Sequence, residues 1–175
     1  MAEPITKSQV KTFLRIEESD TEYDGQLDQL ISAAREWCET YQNRAYITQT
    51  FELALDHFPV ASAIRLPRPK LQTVDSIQYA DVSGAPVVWP ADQYQTDTFS
   101  EPGYLVCKVA WPRTNGSVNN VVITYTSGYG NTPDDVPQKI RQAIFLLVTY
   151  WFENGMCDPP EAVKSLLMQD RVIPV

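Results

Sequence analysis

The spacing of apolar residues changes twice along this chain, and this change constrains the fold more than any other feature. Over about 22–42, apolar side chains recur every three or four residues, which predicts an α-helix with one buried face. From about residue 48 the interval becomes two, which predicts half-buried strands. The helical spacing returns over about 137–153. The sequence therefore predicts helices at both ends of the chain and strands between them.

Turn-forming residues divide the middle of the chain into short segments. The alternating pattern predicts strands over about 48–55, 71–79, 87–89, 93–96, 104–109 and 121–126. Glycine, proline, asparagine and aspartate stand between these segments, as they do in turns. Parallel strands need crossover connections of about a dozen residues or more, so short connections favour antiparallel pairing. The middle of the chain is predicted to be an antiparallel, β-rich region.

The helical ends complete the predicted architecture. The last long helix, about Pro137 to Glu153, is apolar on most of its faces, as expected for a helix buried in a core or an interface. With the N-terminal helices it predicts an α+β fold that is mainly a helical bundle with a β-rich antiparallel middle region. The length suits a single domain spanning 1–175. Its predicted parts are N-terminal helices at 1–47, a β-rich region at 48–130, a long helix at 131–157, and a short helix with a C-terminal tail at 158–175.

Charge and cysteine content limit the possible partners and compartments. The chain has 14 lysine and arginine residues against 22 aspartate and glutamate residues, a formal net charge of −8. Such a surface is poorly suited to gripping nucleic-acid phosphates. The three cysteines have neither zinc-finger nor thioredoxin spacing, which favours a reducing compartment. Neither a secretory signal nor an apolar run of bilayer length is present, so the protein is predicted to be cytoplasmic at synthesis and not a membrane protein.

The glycine-rich turn from Gly128 to Asp135 is the candidate site for chemistry. It follows a strand, precedes a helix and carries adjacent aspartates, so one interpretation is a small metal- or nucleotide-dependent hydrolase. The turn lacks the lysine of a phosphate-binding P-loop and the third glycine of a dinucleotide fingerprint. The simpler interpretation is that Asp134 or Asp135 caps the following helix. The sequence thus predicts no catalytic residues, no metal ligands and no cofactor, and favours a protein that is not an enzyme.

Three motifs resemble those of a known family. They are IRLPRPKLQTVDSIQY at 64–79, VITYTSGYG at 122–130, and VPQKIRQAIFLLVTYWFEN at 136–154. In this order they resemble the motifs of head–tail connector proteins, also called adaptor proteins, of tailed bacteriophages of the siphophage type. The opening helices are similar in order and length as well. The resemblance covers nearly the whole chain.

This resemblance implies a structural protein of the virion neck. Such a protein forms a ring, commonly a dodecamer, beneath the portal protein, and a stopper or tail-completion protein binds below it. DNA passes through the centre of the ring without specific binding. The chain is therefore expected at the head–tail interface of the virion, after synthesis in the cytoplasm of the bacterial host.

Two groups of residues are candidates for contacts in such a neck. The first is the apolar C-terminal segment, because the resembled proteins commonly dock on the portal through this part: Val163, Leu166, Leu167, Arg171, Val172, Ile173 and Val175. We expect this segment to be mobile in the free protein and ordered on the portal. The second group consists of aromatic residues of the β-rich region, a residue type enriched at interfaces. These predicted ring-interface residues are Trp89, Tyr94, Phe99 and Tyr104.

Overall fold

The computed structural model describes residues 2–173. Its four α-helices are α1 (Lys7–Leu14), α2 (Asp24–Gln42), α3 (Gln138–Asn154) and α4 (Glu161–Met168). Its seven strands are β1 (Gln49–Leu55), β2 (Ala63–Arg65), β3 (Leu71–Ala80), β4 (Pro86–Val88), β5 (Tyr94–Asp97), β6 (Tyr104–Cys107) and β7 (Val121–Ser127). No helix within the described residues is both long and apolar enough to cross a membrane.

The chain divides into two compact units. The helical unit combines Met1–Ile47 with Tyr129–Val175, and the β unit is the continuous stretch Thr48–Gly128. The prediction of a fold that is mainly a helical bundle is therefore wrong. The strands form two antiparallel sheets with a hydrophobic core of their own, so the middle of the chain is a separate folded unit and not an addition to a helical bundle. That the chain behaves as a single domain stays a prediction.

Local sequence signals define the ends of the first two helices. At the start of α1, Thr6 Oγ1 accepts the backbone N–H of Gln9 at 3.2 Å, and Gln9 Oε1 accepts the backbone N–H of Thr6 at 2.9 Å. This reciprocal arrangement is a capping box, whose residue types, threonine followed three positions later by glutamine, are visible in the sequence. The residue that follows α1 is Arg15 and the residue that follows α2 is Asn43, and both have left-handed backbone conformations. Asparagine tolerates that conformation well, so Asn43 favours the end of α2 at this position.

The core of the helical unit is formed by the apolar faces of all four helices. Residues of α2 pack with residues of α3 and α4, and the fully buried members include Leu27, Ala34, Ile140, Ile144, Leu147, Val163 and Leu167. α3 contributes the largest share, as its broad apolar surface predicts.

The β unit contains a four-stranded and a three-stranded antiparallel sheet. The larger sheet has the order β1-β7-β3-β4, so the central strand β7 places Ile123 opposite both Leu53 and Ile77. The smaller sheet has the order β2-β6-β5. Strand β2 was not predicted from the sequence, because it has only three residues and lies among prolines. It forms through pairing with β6, where Ile64 lies opposite Leu105.

Candidate functional site

In the glycine-rich turn from Gly128 to Asp135, the carboxylates of Asp134 and Asp135 both have partners within the protein. Asp135 Oδ2 accepts hydrogen bonds from the backbone N–H and the hydroxyl of Thr132, each at 2.8 Å. The backbone N–H of Thr132 is the main cause that lowers the pKa of Asp135 below its usual value of 3.8. The neighbouring Asp134 pairs with Arg141 at 2.8 Å. Both carboxylates are thus engaged, Asp135 by the turn itself and Asp134 by Arg141 of α3.

The two aspartates do not cap the long helix, which corrects one sequence-based interpretation. They belong to a short helical turn, Pro133–Asp135, and Asp135 closes a capping box with Thr132 at its start. α3 begins after Pro137 and has no side-chain cap. A Cβ on Gly130 would overlap the Asp135 carboxylate, so glycine is needed there for close packing. Among residues 2–173, no three histidine, cysteine, aspartate or glutamate side chains are grouped in a way that suits a metal ion.

The predicted portal-docking residues divide between the core and the surface. Val163 and Leu167 of α4 are fully buried, and Leu166 is partly buried. The main-chain carbonyl of Leu167 accepts a hydrogen bond of 2.6 Å from Gln42 Nε2, a buried amide at the end of α2. α4 is therefore part of the hydrophobic core of the helical unit.

The residues after α4 are also held against α2. Arg44 Nε donates to the carbonyl of Asp170 at 2.6 Å, and the backbone N–H of Val172 donates to the carbonyl of Gln42 at 2.9 Å. The guanidinium of Arg171 lies 4.7 Å from the ring centre of Tyr41. The structure thus shows this segment packed on the helical unit, and its mobility in the free protein stays a prediction. Ile173 is exposed, Val175 lies outside the described residues, and docking on a portal stays a prediction.

The predicted ring-interface residues also fall into two classes. Trp89 is 7% exposed and Tyr94 is 8% exposed, and their rings pack 5.4 Å apart in the core of the β unit. Tyr104 is partly buried at the start of β6. Phe99, in the loop between β5 and β6, is 96% exposed. A role in a ring stays a prediction for all four, and Phe99 is the one of them with a fully exposed side chain.

Sequence reasoning missed a groove between α1 and α3. It has a volume of about 670 Å³, and its lining includes Phe13, Phe145, Arg15 and Arg141. Phe13 is 57% exposed, whereas Val10 on the same helix is fully buried. Both residues belong to one apolar stripe, so no sequence signal distinguishes the exposed member from the buried one.

Comparison with known proteins identifies the family. The sequence profile described as "Head completion protein" matches residues 3–161. No curated protein matches the chain.

Three solved structures are similar in fold. A chain in the neck of the empty GTA particle, computed with C6 symmetry, has 22% identity and a TM-score of 0.84 over 98% of this chain and 91% of that chain. A chain in the virion of the native gene transfer agent (GTA) particle has 22% identity and a TM-score of 0.79 over the same shares. A chain in the neck of the native GTA particle, computed with C12 symmetry, has 25% identity and a TM-score of 0.69 over 85% of this chain and 83% of that chain.

These findings confirm the connector resemblance, the virion location and the prediction that the protein is not an enzyme. The profile covers most of the chain, and the fold agrees over nearly all of it. The chain belongs to the head completion protein family and is a structural, non-enzymatic protein of the virion neck, at the head–tail interface.

Proposed function

We propose that this protein forms a ring adaptor between the portal and the stopper or tail-completion proteins. The observation that carries the proposal is the likeness in fold to a chain in a neck computed with C12 symmetry. A dodecameric ring follows if this chain occupies the same position in its own virion. A ring requires each copy to present two different surfaces, one to each neighbour. The two units of this chain offer such different surfaces.

The charge of the chain supports passage of DNA through the ring without specific binding. The helical unit has fifteen acidic against nine basic residues, and the β unit has seven against five. Proteins that grip DNA neutralise phosphates with lysine and arginine, and this composition offers no such excess. A negative surface around the channel would repel phosphates, so DNA would slide through the ring instead of adhering to it.

Portal docking through the C-terminal segment is the second part of the proposal. Val163 and Leu167 are buried in the helical unit, so the contact falls to the more exposed side chains beside them. These are Leu166, Arg171 and Ile173. Because the segment is already packed, docking would not require ordering of the whole tail, which keeps the entropic cost of binding low.

The test is supplementation of heads that lack this protein. DNA-filled heads produced without the chain should not join tails, and addition of the purified protein should restore joining. The restored particles should carry the chain and the portal protein in equal numbers, measured by quantitative mass spectrometry of purified necks. Joined virions that lack the chain, or a chain located in the capsid shell or the tail tip, would contradict the proposal.

Portal docking has its own control. Ile173→Asp alters an exposed position and should weaken capture of portal particles, while Val118→Asp alters an exposed position of the β unit and should not. Equal capture of both variants would exclude the C-terminal segment as the docking surface.

A further inference from the structure

The groove between α1 and α3 is lined by two aromatic rings and two arginine side chains. Phe13 and Phe145 meet edge to face, with ring centroids 4.9 Å apart, and Phe13 remains 57% exposed. Arg15 and Arg141 line the same groove, and the described residues that line it include no carboxylate. Arg141 pairs with Asp134, but its Nε is buried and makes no hydrogen bond. The groove therefore suits an apolar group flanked by negative charge.

The loop between β5 and β6 presents a group of that kind. Phe99 is 96% exposed, and aromatic side chains are enriched at protein–protein interfaces. The loop residues from Asp97 to Glu101 contain two carboxylates and no cation. The loop thus presents an aromatic ring and negative charge, and the groove offers aromatic rings and positive charge in return.

The conformation of this loop is fixed before any partner binds. Asp97 Oδ1 accepts the backbone N–H groups of Phe99 at 2.9 Å and Ser100 at 3.0 Å. Its other oxygen accepts the Ser100 hydroxyl at 2.6 Å, the main cause that lowers the pKa of Asp97. The base of the loop is tight as well, since a Cβ on Gly103 would lie 2.6 Å from a carbon of Leu71. A preorganised loop loses little conformational entropy on binding, so the exposed ring can act as an anchor.

We propose that Phe99 of one copy inserts into the α1–α3 groove of a second copy, beside Phe13 and Phe145. This inference rests on the proposed ring and names the contact that holds neighbouring copies together. The loop that carries Phe99 and the α1–α3 groove are different surfaces, so the contact is heterologous. Each copy uses its loop toward one neighbour and its groove toward the other. In the proposed contact, the carboxylates of Asp97 and Glu101 approach Arg15 and Arg141, which line the groove. These charges steer association and fix orientation, while the buried aromatic ring supplies most of the affinity.

Photo-crosslinking in assembled necks tests the contact directly. Phe99 is replaced with p-benzoylphenylalanine, which keeps an aromatic ring at this position, and heads lacking the chain are supplemented with this variant. After irradiation, we expect a crosslinked product of twice 19.8 kDa. Mass spectrometry should locate the crosslink in α1 or in the first half of α3. A crosslink to the portal or to another protein, or its absence from necks that contain the variant, would overturn the proposal.

Charge substitutions measure how much the contact contributes. Phe99→Asp and Phe13→Asp should each weaken association of copies by roughly thirtyfold or more, as expected for loss of an aromatic anchor. Val82→Asp changes another exposed apolar residue of the β unit and should leave association unchanged. Thermal unfolding of each variant, followed by circular dichroism, shows that the fold is retained.

The outcomes separate this inference from the proposed function. If the unaltered protein fails to restore tail joining, the ring adaptor is excluded, and the proposed Phe99 contact between copies is excluded with it. If the unaltered protein and Phe99→Asp restore joining equally well, the ring adaptor stands and the Phe99 contact is wrong. If Phe99→Asp and Phe13→Asp fail while Val82→Asp restores joining, both are supported.

Discussion

The helical unit is assembled from two separated stretches of chain, whereas the β unit is one continuous stretch. The contacts that close the helical unit therefore join residues far apart in sequence, such as Gln42 Nε2 with the carbonyl of Leu167. The β unit contains all strands of both of its sheets. This difference teaches that α4 and the residues just after it complete the helical unit, while the β unit contains every strand that its sheets require.

The two units also differ in the polar side chains that they bury. The helical unit buries charged side chains, and Arg35 Nη1 pairs with Glu39 Oε2 at 2.7 Å. Lys11 is 2% exposed and donates to the carbonyl of Asp20 at 2.6 Å. In the described β unit the buried polar residues are Asn120 and Ser127, and the core is rich in aromatic rings. Buried charged pairs therefore occur in the helical unit, whereas the buried polar residues described in the β unit carry no charge.

Removal of the C-terminal segment should have the largest effect on this comparison. A chain that ends at Asp158 loses the buried Val163 and Leu167 and leaves Gln42 without its carbonyl partner. We expect the helical unit to lose its cooperative fold, because several apolar side chains and buried hydrogen bonds disappear together. Hydrogen exchange should show lost protection in α2 and α3 and retained protection in β3 and β7. Retained protection in α2 would contradict the assignment of α4 to the core.

Trp89→Ala should destabilise the β unit strongly. The side chain packs against Phe58, Tyr94 and Trp111, and its removal leaves a large cavity. Tryptophan-to-alanine changes in cores cost about 3–5 kcal/mol in the free energy of unfolding. Urea unfolding monitored by circular dichroism measures this loss. Phe99→Ala is the matched control, with little expected change because the ring is exposed. Similar losses for both variants would show that Trp89 is not a core residue.

A pair of buried amides compares polar interactions in the two units. Gln42→Ala removes the donor to Leu167 and the acceptor for the Tyr46 hydroxyl, and Asn120→Ala removes the acceptor for the backbone N–H of Ala80. Each change should cost about 1–3 kcal/mol, because buried groups lose their partners. Hydrogen exchange should then rise around residues 167–172 only for the glutamine variant. Identical exchange patterns would remove this distinction between the units.

The smallest effects concern two carboxylates with lowered pKa values, Asp135 in the helical unit and Asp97 in the β unit. Each is held below its usual 3.8 by hydrogen bonds, chiefly from Thr132 to Asp135 and from Ser100 to Asp97. A lowered pKa in the folded state contributes stability above pH 3.8, and this contribution is lost as the pH falls further.

Asp135→Asn and Asp97→Asn should therefore differ most from the unaltered protein near neutral pH. The difference in the free energy of unfolding should shrink as the pH falls below about 4. The carboxylate of the unaltered protein is then increasingly protonated and becomes uncharged, like the asparagine that replaces it. Urea unfolding at pH 3 to 7 measures it. Asparagine keeps the acceptor oxygen, so the effect at Asp135 should remain small. A difference that does not change with pH would show that ionisation plays no part.

The secondary structure could be predicted from the sequence because it depends on local patterns. The capping box at Thr6 and Gln9 fixed the start of α1, and the alternating residues of β1 and β7 indicated strands. Strand β2 was not predictable, because three residues between prolines carry no period and gain their structure from pairing with β6. The cap on α3 was assigned wrongly, because Asp135 could serve either of two successive helical starts.

The candidate interaction residues were harder to predict, because exposure depends on partners that are distant in sequence. Trp89 and Phe99 have the same aromatic character in the same β-rich region, yet one packs in the core and the other does not. The groove beside Phe13 forms only where α1 meets α3, two helices separated by the whole β unit. A local pattern identifies an apolar face but not the element that covers it.

By itself, the sequence determined the order of the helices and of every strand except β2, the antiparallel character of the middle region and the family motifs, since each depends on neighbouring residues. The tertiary structure alone decided that the chain forms two units instead of a bundle and that α4 completes a core. It also decided that Phe99 and Phe13 remain exposed while Trp89, Val163 and Leu167 are buried. The physical reason is that burial is a property of contacts between distant segments, and these exist only after the chain has closed on itself.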